Sequence, residues 1–152
     1  MSKTKLFCIP HAGGSASIYL KWRKMLPSTI QLIPLELSGR GARWNEPLYH
    51  HLEEAVEDLY TQVTRHIGSD YILFGHSMGS LLAFELYYKL IGQDWPEPVQ
   101  FIASGGKPPH LPRETIVHDL PLPQFKEHIC TMMKHQVIFL KMMNCFSSTC
   151  PC

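Results

Sequence analysis

The sequence contains no long apolar stretch, no block of like charges and no internal repeat. A helix that crosses a bilayer needs roughly 18–20 consecutive apolar residues, and no run in this chain approaches that length. With 14 basic and 13 acidic residues the net charge is +1, so nothing favours nucleic acid or an anionic membrane surface as a partner. The apolar run after the basic segment Met1 to Lys5 ends at Pro10, which is too early for a secretory signal. We therefore expect a cytoplasmic protein.

Cysteine is almost absent from the first 129 residues and crowded in the last 23. Cys8 lies in an apolar run, where a thiol is usually just buried. Cys130, Cys145, Cys150 and Cys152 form a C-x4-C-x-C pattern with one further cysteine, which is a weak zinc signal without a second ligand pair. We expect no metal site, and the crowding indicates a change in composition that needs another explanation.

Apolar runs and helical patterns alternate along the rest of the chain, whose 45% hydrophobic and 18% charged content suits one domain. The predicted strands are Lys5–Ile9, Ile30–Leu35, Tyr71–Phe74 and Val99–Ser104, and the predicted helices run over 17–26, 52–67 and 78–90. Pro34 indicates that the second strand lies at a sheet edge. This alternation predicts an α/β fold, a doubly wound parallel sheet with right-handed crossovers.

The segment Gly75-His76-Ser77-Met78-Gly79 is a Gly-x-Ser-x-Gly motif between a predicted strand and a predicted helix. That context is typical of a nucleophile elbow, in which the serine projects from a sharp, strained turn. Gly75 and Gly79 leave room where a Cβ would collide with the adjoining strand or helix. We therefore predict Ser77 as the catalytic nucleophile and expect His76, which points away from it, to be structural.

A glycine-rich loop, Pro10-His11-Ala12-Gly13-Gly14-Ser15, leaves the first predicted strand and enters a helix. Loops at this place donate backbone N–H groups to the oxyanion of serine hydrolases of this fold. We expect the oxyanion hole to be formed by the amides of Met78, directly after the nucleophile, and Ala12. A simple glycine turn is the alternative, and His11 is expected to brace the loop.

Two arginines, Arg40 and Arg43, follow the second strand in a polar loop. Their guanidinium groups could contact a phosphate, but a solvated loop explains them equally well. The residues alone leave these alternatives open.

Taken together, these motifs resemble the type II thioesterases of nonribosomal peptide and polyketide synthesis, which are α/β-hydrolases. The resemblance rests on Phe7 to Ser15, Leu37 to Arg43, Gly75 to Gly79 and the segment Ser104-Gly105-Gly106-Lys107-Pro108-Pro109, which looks like the entry to the family's lid. It extends from about Lys5 to Ile129.

The resemblance implies an enzyme that hydrolyses aberrant acyl or aminoacyl groups from the phosphopantetheine arm of a carrier domain. In that case Ser77 would carry the acyl group, and Met78 and Ala12 would hold its oxyanion. The implied partner is a peptidyl or acyl carrier domain, and no cofactor of the chain's own is implied. The implied fold is a partial α/β-hydrolase with a helical lid that begins near residue 107 and with its C-terminal strands missing.

The chain departs from the family in its last third. Members place an aspartate after one further strand and a histidine in a Gly-Gly-His-Phe-like loop after the next. The histidines after the elbow are His110, His118, His128 and His135, and none lies in such a loop; Asp94 and Asp119 are also misplaced. No complete catalytic triad can be assigned.

The composition of the last 23 residues, with four methionines, four cysteines and charges of one sign, suggests a slip of reading frame. Read one base earlier from the third base of the Ile129 codon, the stretch can encode Leu-His-Tyr-Asp-Glu-Ala-Pro-Ser-Asp-Phe-Leu-Glu-Asn-Asp-Glu-Leu, which looks like the family's lid. We therefore predict that residues 1–129 are the N-terminal part of a thioesterase domain. Residues 130–152 are predicted to be a non-homologous tail.

Two other functions stay open. The chain could be an inactive, truncated fragment that at most binds a carrier domain. A generic carboxylesterase would also explain the elbow, although it explains the flanking motifs less well.

Overall fold

The computed structural model describes residues 3–68 and 70–106, together with the single positions 108, 121, 123, 124 and 127. The elements in chain order are β1 (Thr4–Ile9), a long 3₁₀-helix (Ala16–Lys24), β2 (Ile30–Pro34), a short 3₁₀-helix (Gly41–Arg43), α1 (Leu52–Thr64), β3 (Tyr71–His76), α2 (Met78–Ile91) and β4 (Gln100–Ser104). The predicted lid start near residue 107 and the predicted tail 130–152 lie outside the described residues.

The four described strands form one parallel sheet in the order β2-β1-β3-β4. Ile9 at the end of β1 pairs with Gly75 near the end of β3. Because all four strands run in one direction, the loops that follow β1 and β3 lie side by side at the C-terminal ends of the strands. The predicted parallel α/β arrangement is therefore confirmed, and β2 lies at an edge as Pro34 indicated.

Apolar side chains cover both faces of the sheet, which is why the strands read as continuous apolar runs. On one face Phe7, Ile9 and Leu73 pack with the apolar stripes of α1 and α2. On the other face Leu6 and Cys8 pack with Leu32 and the long 3₁₀-helix. Successive side chains of β1 therefore enter opposite layers, as the period of two in a strand requires.

Two helical segments differ from the sequence-based predictions. The segment predicted as a helix over 17–26 is a 3₁₀-helix; with three residues per turn, Tyr19 and Trp22 lie on one line and both pack against Phe74. Helix α1 ends at Thr64 rather than at Ile67, and its last turn is closed by bonds from the His66 and Ile67 amides to the Val63 carbonyl, at 2.9 Å and 2.7 Å.

Burial of Cys8 raises the pKa of its thiol to about 12, so this cysteine is a neutral core residue, as expected. Among the described residues, no helix is both long enough and apolar enough to cross a membrane. Among the same residues, no group of three or more His, Cys, Asp or Glu side chains could hold a metal ion. The four terminal cysteines lie outside the described part of the chain.

Candidate active site

Ser77 joins β3 to α2 with a backbone conformation that is rare for a residue with a side chain, φ 54° and ψ −115°. Its amide donates to the Ser104 carbonyl at 2.7 Å, which ties the turn to the end of β4. Its carbonyl accepts from the Ser80 amide at 3.0 Å and from the Ser80 hydroxyl at 2.6 Å. The turn is thus fixed by hydrogen bonds on both sides of the serine.

The two glycines of the motif are required by close approaches of backbone to backbone. A Cβ at Gly75 would lie 2.1 Å from the Gly79 carbonyl oxygen. A Cβ at Gly79 would lie 2.3 Å from the Ile9 carbonyl oxygen and 2.6 Å from that of Pro10. Both distances are far below van der Waals contact, so the strand, the turn and the helix can meet only with glycine at both positions.

The glycine loop after β1 forms a tight turn beside this elbow. The Gly14 amide donates to the His11 carbonyl at 2.9 Å, and Gly13 has φ +75° at the third position of the turn, as a type II turn requires. Ala12, the second residue of the turn, is exposed, and the turn's own hydrogen bond does not use its amide. The close approach of Gly79 to the Ile9 and Pro10 carbonyls brings this loop against the start of α2.

Met78 is the first residue of α2. Its backbone N–H therefore has no acceptor within the helix, and the helix dipole adds partial positive charge at this end. The predicted oxyanion donors Met78 and Ala12 thus belong to the two segments that the Gly79 contact brings together. Their catalytic roles, like that of Ser77, stay predictions.

His11 of the glycine loop and His76 of the elbow contact each other. Their rings meet edge to face with centroids 5.8 Å apart, and His76 Nδ1 lies 3.2 Å from the Ser104 hydroxyl oxygen. Burial, and then the neighbouring His11, lower the pKa of His76. Among the described side chains, His11 Nδ1 is a buried nitrogen without a hydrogen-bond partner. The two rings thus contact each other, and the structural role expected for both histidines stays a prediction.

The carboxylate and the base of a triad are not assembled among the described residues. The described positions after Ser77 include no histidine. Ser77 precedes α2 and Asp94 follows it. Because a helix of 14 residues is about 21 Å long, Asp94 lies far from Ser77, beyond the other end of the helix. His110, His118 and Asp119 lie outside the described residues.

Arg43 is neither a solvated side chain nor a free phosphate ligand. Its guanidinium donates to Asp58 at 2.5 Å and 3.1 Å, to Glu46 at 2.8 Å and to the carbonyl of Glu36 at 2.9 Å. The Glu46 and Asp58 bonds together raise the pKa of Arg43. The solvated-loop interpretation is therefore wrong for Arg43, because the loop folds back onto α1. Arg40 donates to the carbonyl of Gly39 at 2.9 Å, and its contact with a phosphate stays a prediction.

The sequence reading missed two residues that hold the glycine loop. The buried hydroxyl of Tyr19 donates to the Ile9 carbonyl at 2.9 Å. Glu36 accepts two hydrogen bonds from the start of the long 3₁₀-helix. Tyr19 could have been found, because a tyrosine in an apolar layer needs a partner for its hydroxyl. Glu36 gave no signal beyond an acidic residue between two leucines.

Comparison with known proteins places this geometry in a family. The sequence profile of the family described as "Thioesterase domain" matches residues 4–152. The chain is 38% identical to the linear gramicidin dehydrogenase LgrE of Brevibacillus parabrevis over 84% of the chain and 49% of that protein. It is 33% identical to the gramicidin S biosynthesis protein GrsT of Aneurinibacillus migulanus over 84% of the chain and 50% of that protein.

Among solved structures, ClbQ from the colibactin NRPS/PKS pathway matches with a TM-score of 0.76 and 42% identity, over 85% of this chain and 55% of that one. The chain spans about half the length of the curated relatives it matches. The family profile covers nearly the whole chain, and the solved relative shares its fold. The chain is also similar to the solved structure of the type II thioesterase BorB from the borrelidin biosynthetic cluster, with a TM-score of 0.70 and 26% identity, over 86% of this chain and 53% of that one. The chain therefore belongs to the thioesterase domain family.

Proposed function

We propose that this chain carries the nucleophile and the oxyanion hole of a type II thioesterase, which hydrolyses acyl groups from the phosphopantetheine arm of a carrier domain. The observation that carries the proposal is the backbone of Ser77, held at φ 54° between β3 and α2. Strain of this kind persists only where the surrounding structure imposes it, and it clusters at functional sites. The turn of His11 to Gly14 beside it supports the same function.

In the proposed reaction the Ser77 hydroxyl oxygen attacks the carbonyl carbon of the thioester. The carbon–sulfur bond breaks, and the pantetheine arm leaves as a thiol that takes up the proton released by the serine. Water then cleaves the acyl-serine ester, which releases a carboxylic acid and restores the hydroxyl. The amides of Met78 and Ala12 would stabilise the negative oxygen of each tetrahedral intermediate, and one such donor contributes roughly 3–4 kcal/mol.

The partner proposed for this reaction is a peptidyl or acyl carrier domain of a synthetase. The names of GrsT and ClbQ, which refer to gramicidin S biosynthesis and to a colibactin NRPS/PKS pathway, support this partner. The substrate would arrive on the partner's phosphopantetheine, so the proposed mechanism uses no cofactor held by the chain itself.

A second candidate is a chain that binds a carrier domain without turnover. It is favoured by one observation of the sequence, since none of the four histidines after Ser77 lies in a Gly-Gly-His-Phe-like loop. Loss of the catalytic histidine alone can lower kcat of a serine hydrolase by about 10⁶-fold. The two candidates agree on fold and partner and differ in whether Ser77 reacts.

Covalent labelling of the whole chain separates these candidates. A fluorophosphonate probe forms a bond from Ser77 Oγ to phosphorus while fluoride leaves, and mass spectrometry locates the adduct. We expect labelling of Ser77 and hydrolysis of an acyl-pantetheine thioester, both lost in Ser77→Ala. A folded chain that is neither labelled nor active would overturn the enzyme proposal in favour of the binding fragment.

Substrate choice tests the remaining alternative, a generic carboxylesterase. The same preparation is given an acyl-pantetheine thioester and a p-nitrophenyl ester with the same acyl group. The thioesterase proposal expects a higher kcat/KM for the thioester, and a clear preference for the simple ester would favour the carboxylesterase.

A further inference from the structure

We infer that Glu36 is a positioning residue for the glycine loop Pro10 to Ser15, called the oxyanion loop from here on because Ala12 in it is the proposed oxyanion donor. This inference rests on the function proposed above. The two carboxylate oxygens of Glu36 accept from two consecutive residues at the end of that loop. The Ser15 hydroxyl donates to Oε2 at 3.0 Å, and the Ala16 amide donates to Oε1 at 3.0 Å. One carboxylate thus fixes both a side chain and the main chain at the point where the loop enters the 3₁₀-helix.

The direction of the Glu36 side chain follows from its neighbours. Leu35 and Leu37 are both buried in the layer that contains α1 and α2. Alternation along an extended chain then turns Glu36 toward the opposite layer, where the long 3₁₀-helix begins. The Leu35 amide also donates to the Cys8 carbonyl at 2.9 Å, so the segment is still held against β1 beyond the end of β2.

The main chain at Glu36 is held from the side of α1. Its carbonyl accepts from Arg43 Nη1 at 2.9 Å and from Gln62 Nε2 at 3.0 Å. Arg43 and Gln62 both also bind Asp58 of α1. A continuous set of hydrogen bonds therefore connects helix α1 to the oxyanion loop through residue 36.

The space around the Glu36 carboxylate is closed by the loop after β2. A Cβ at Gly41, whose φ is +47°, would lie 2.0 Å from Glu36 Oε2 and 2.7 Å from the Ser15 hydroxyl oxygen. A side chain at position 41 would therefore displace the Glu36 carboxylate, and the positive φ also favours glycine there.

The oxyanion loop is consequently fixed at both ends. At its start the Tyr19 hydroxyl holds the Ile9 carbonyl, and at its end Glu36 holds Ser15 and Ala16. Ala12, the predicted donor, lies between these two anchors. An oxyanion donor is effective only within about 2.7–3.1 Å of the developing charge, so loss of the second anchor would weaken catalysis without removing a group that touches the substrate.

The test compares Glu36→Ala and Glu36→Gln with the exposed control Glu53→Ala, all in the full chain. Hydrogen–deuterium exchange is followed in peptides that cover residues 10–17, α1 and α2. Hydrogen bonds to a charged acceptor stabilise a structure more than neutral ones do. We therefore expect Glu36→Ala to raise the rate of hydrogen exchange in residues 10–17 by about tenfold or more. Exchange in α1 and α2 should not change. Glu36→Gln keeps a carbonyl acceptor for the Ala16 amide and should restore most of the protection.

Two results would overturn the inference: unchanged exchange over residues 10–17, or an equal rise in the two helices, which would show general destabilisation. If Glu36→Ala does not fold, Ser15→Ala removes one of the two donors and is expected to raise the exchange rate in the same residues by a smaller factor.

The rate of fluorophosphonate labelling adds a second readout: Glu36→Ala should lower the maximal rate of labelling and leave the probe's apparent affinity unchanged. If the parent chain is not labelled, the proposed function fails, while the exchange data still decide the role of Glu36.

Discussion

At the scale of single residues, the elbow shows how a short motif encodes a close approach. Ser77 has a positive φ, and the glycines on either side have no room for a Cβ because backbone oxygens lie 2.1 Å and 2.3 Å from where it would stand. Such local constraints can be read from sequence, since the spacing of the glycines carries them. Glu36 could not be read in this way, because its partners are 20 and 21 positions distant and only the fold brings them together.

Replacement of Gly79 by alanine should destabilise the chain. The new methyl group would overlap the Ile9 and Pro10 carbonyls, which are backbone atoms and can move only if β1 or α2 moves. We expect the free energy of unfolding to fall by about 1–3 kcal/mol, as for other overpacked sites, measured by urea denaturation.

Gly106→Ala is the matched control for this change, because among the described residues a Cβ there would meet Ser80 Oγ alone, at 3.7 Å, an ordinary contact. It should leave the urea midpoint nearly unchanged. Equal stability of Gly79→Ala and Gly106→Ala would show that the backbone at the elbow is less closely packed than described.

At the scale of elements, the strands and α1 follow the sequence patterns because their apolar residues repeat with a single clear period. The segment 16–24 does not follow its pattern. Only Tyr19 in it is fully buried, so a wide α-helical stripe has little to pack against, and a tighter helix brings Tyr19 and Trp22 onto the sheet together. The loop after β2 also differs from the solvated loop that its sequence indicates, because one partner of Arg43 is Asp58, a residue of another element.

Asp58 should stabilise the contact between this loop and α1 in a pH-dependent way. Burial alone would raise its pKa, but bonds from Arg43, Tyr49 and Gln62 outweigh burial and hold the pKa below its usual value. Because the folded pKa is the lower one, this stability is present above about pH 4, the unfolded value, and is lost as pH falls through the folded pKa. Asp58→Asn should lower the free energy of unfolding at pH 7 by about 1–3 kcal/mol, and the difference from the parent should shrink below pH 4.

Glu57→Gln offers a control on the same helix. Glu57 is 61% exposed and pairs with Lys89 at 2.6 Å, and exposed pairs of this kind contribute less than about 1 kcal/mol. Parallel urea titrations at pH 7 and pH 3.5 compare the three proteins. If Asp58→Asn and Glu57→Gln lower the free energy of unfolding equally at pH 7, the hydrogen bonds around Arg43 are not an important support of the loop.

At the scale of the whole molecule, the parallel sheet could be predicted from the alternation of strands and helices, because consecutive parallel strands require crossovers. The strand order β2-β1-β3-β4 then places the end of β1 beside the end of β3, which is where both predicted parts of the site lie. The remaining triad members could not be assigned from the sequence, because none of the histidines after Ser77 lies in a Gly-Gly-His-Phe-like loop, where the resemblance predicts the base.

A slip of reading frame after Ile129 is our proposal for the composition of residues 130–152, and the coding DNA tests it. Methionine has a single codon, so in the frame one base earlier Met132, Met133 and Lys134 must read as Asp-Glu, and Met142, Met143 and Asn144 must do so again. We expect that frame to stay open past residue 152 and to encode an aspartate and a Gly-Gly-His-like loop. The same shift applied to the codons of residues 5–106 is the control and should give no thioesterase-like sequence. The proposal is wrong if the shifted frame has an early stop codon or does not encode a lid-like sequence. Residues 130–152 would then belong to the original frame, and the family profile's match through residue 152 would describe the domain as it stands.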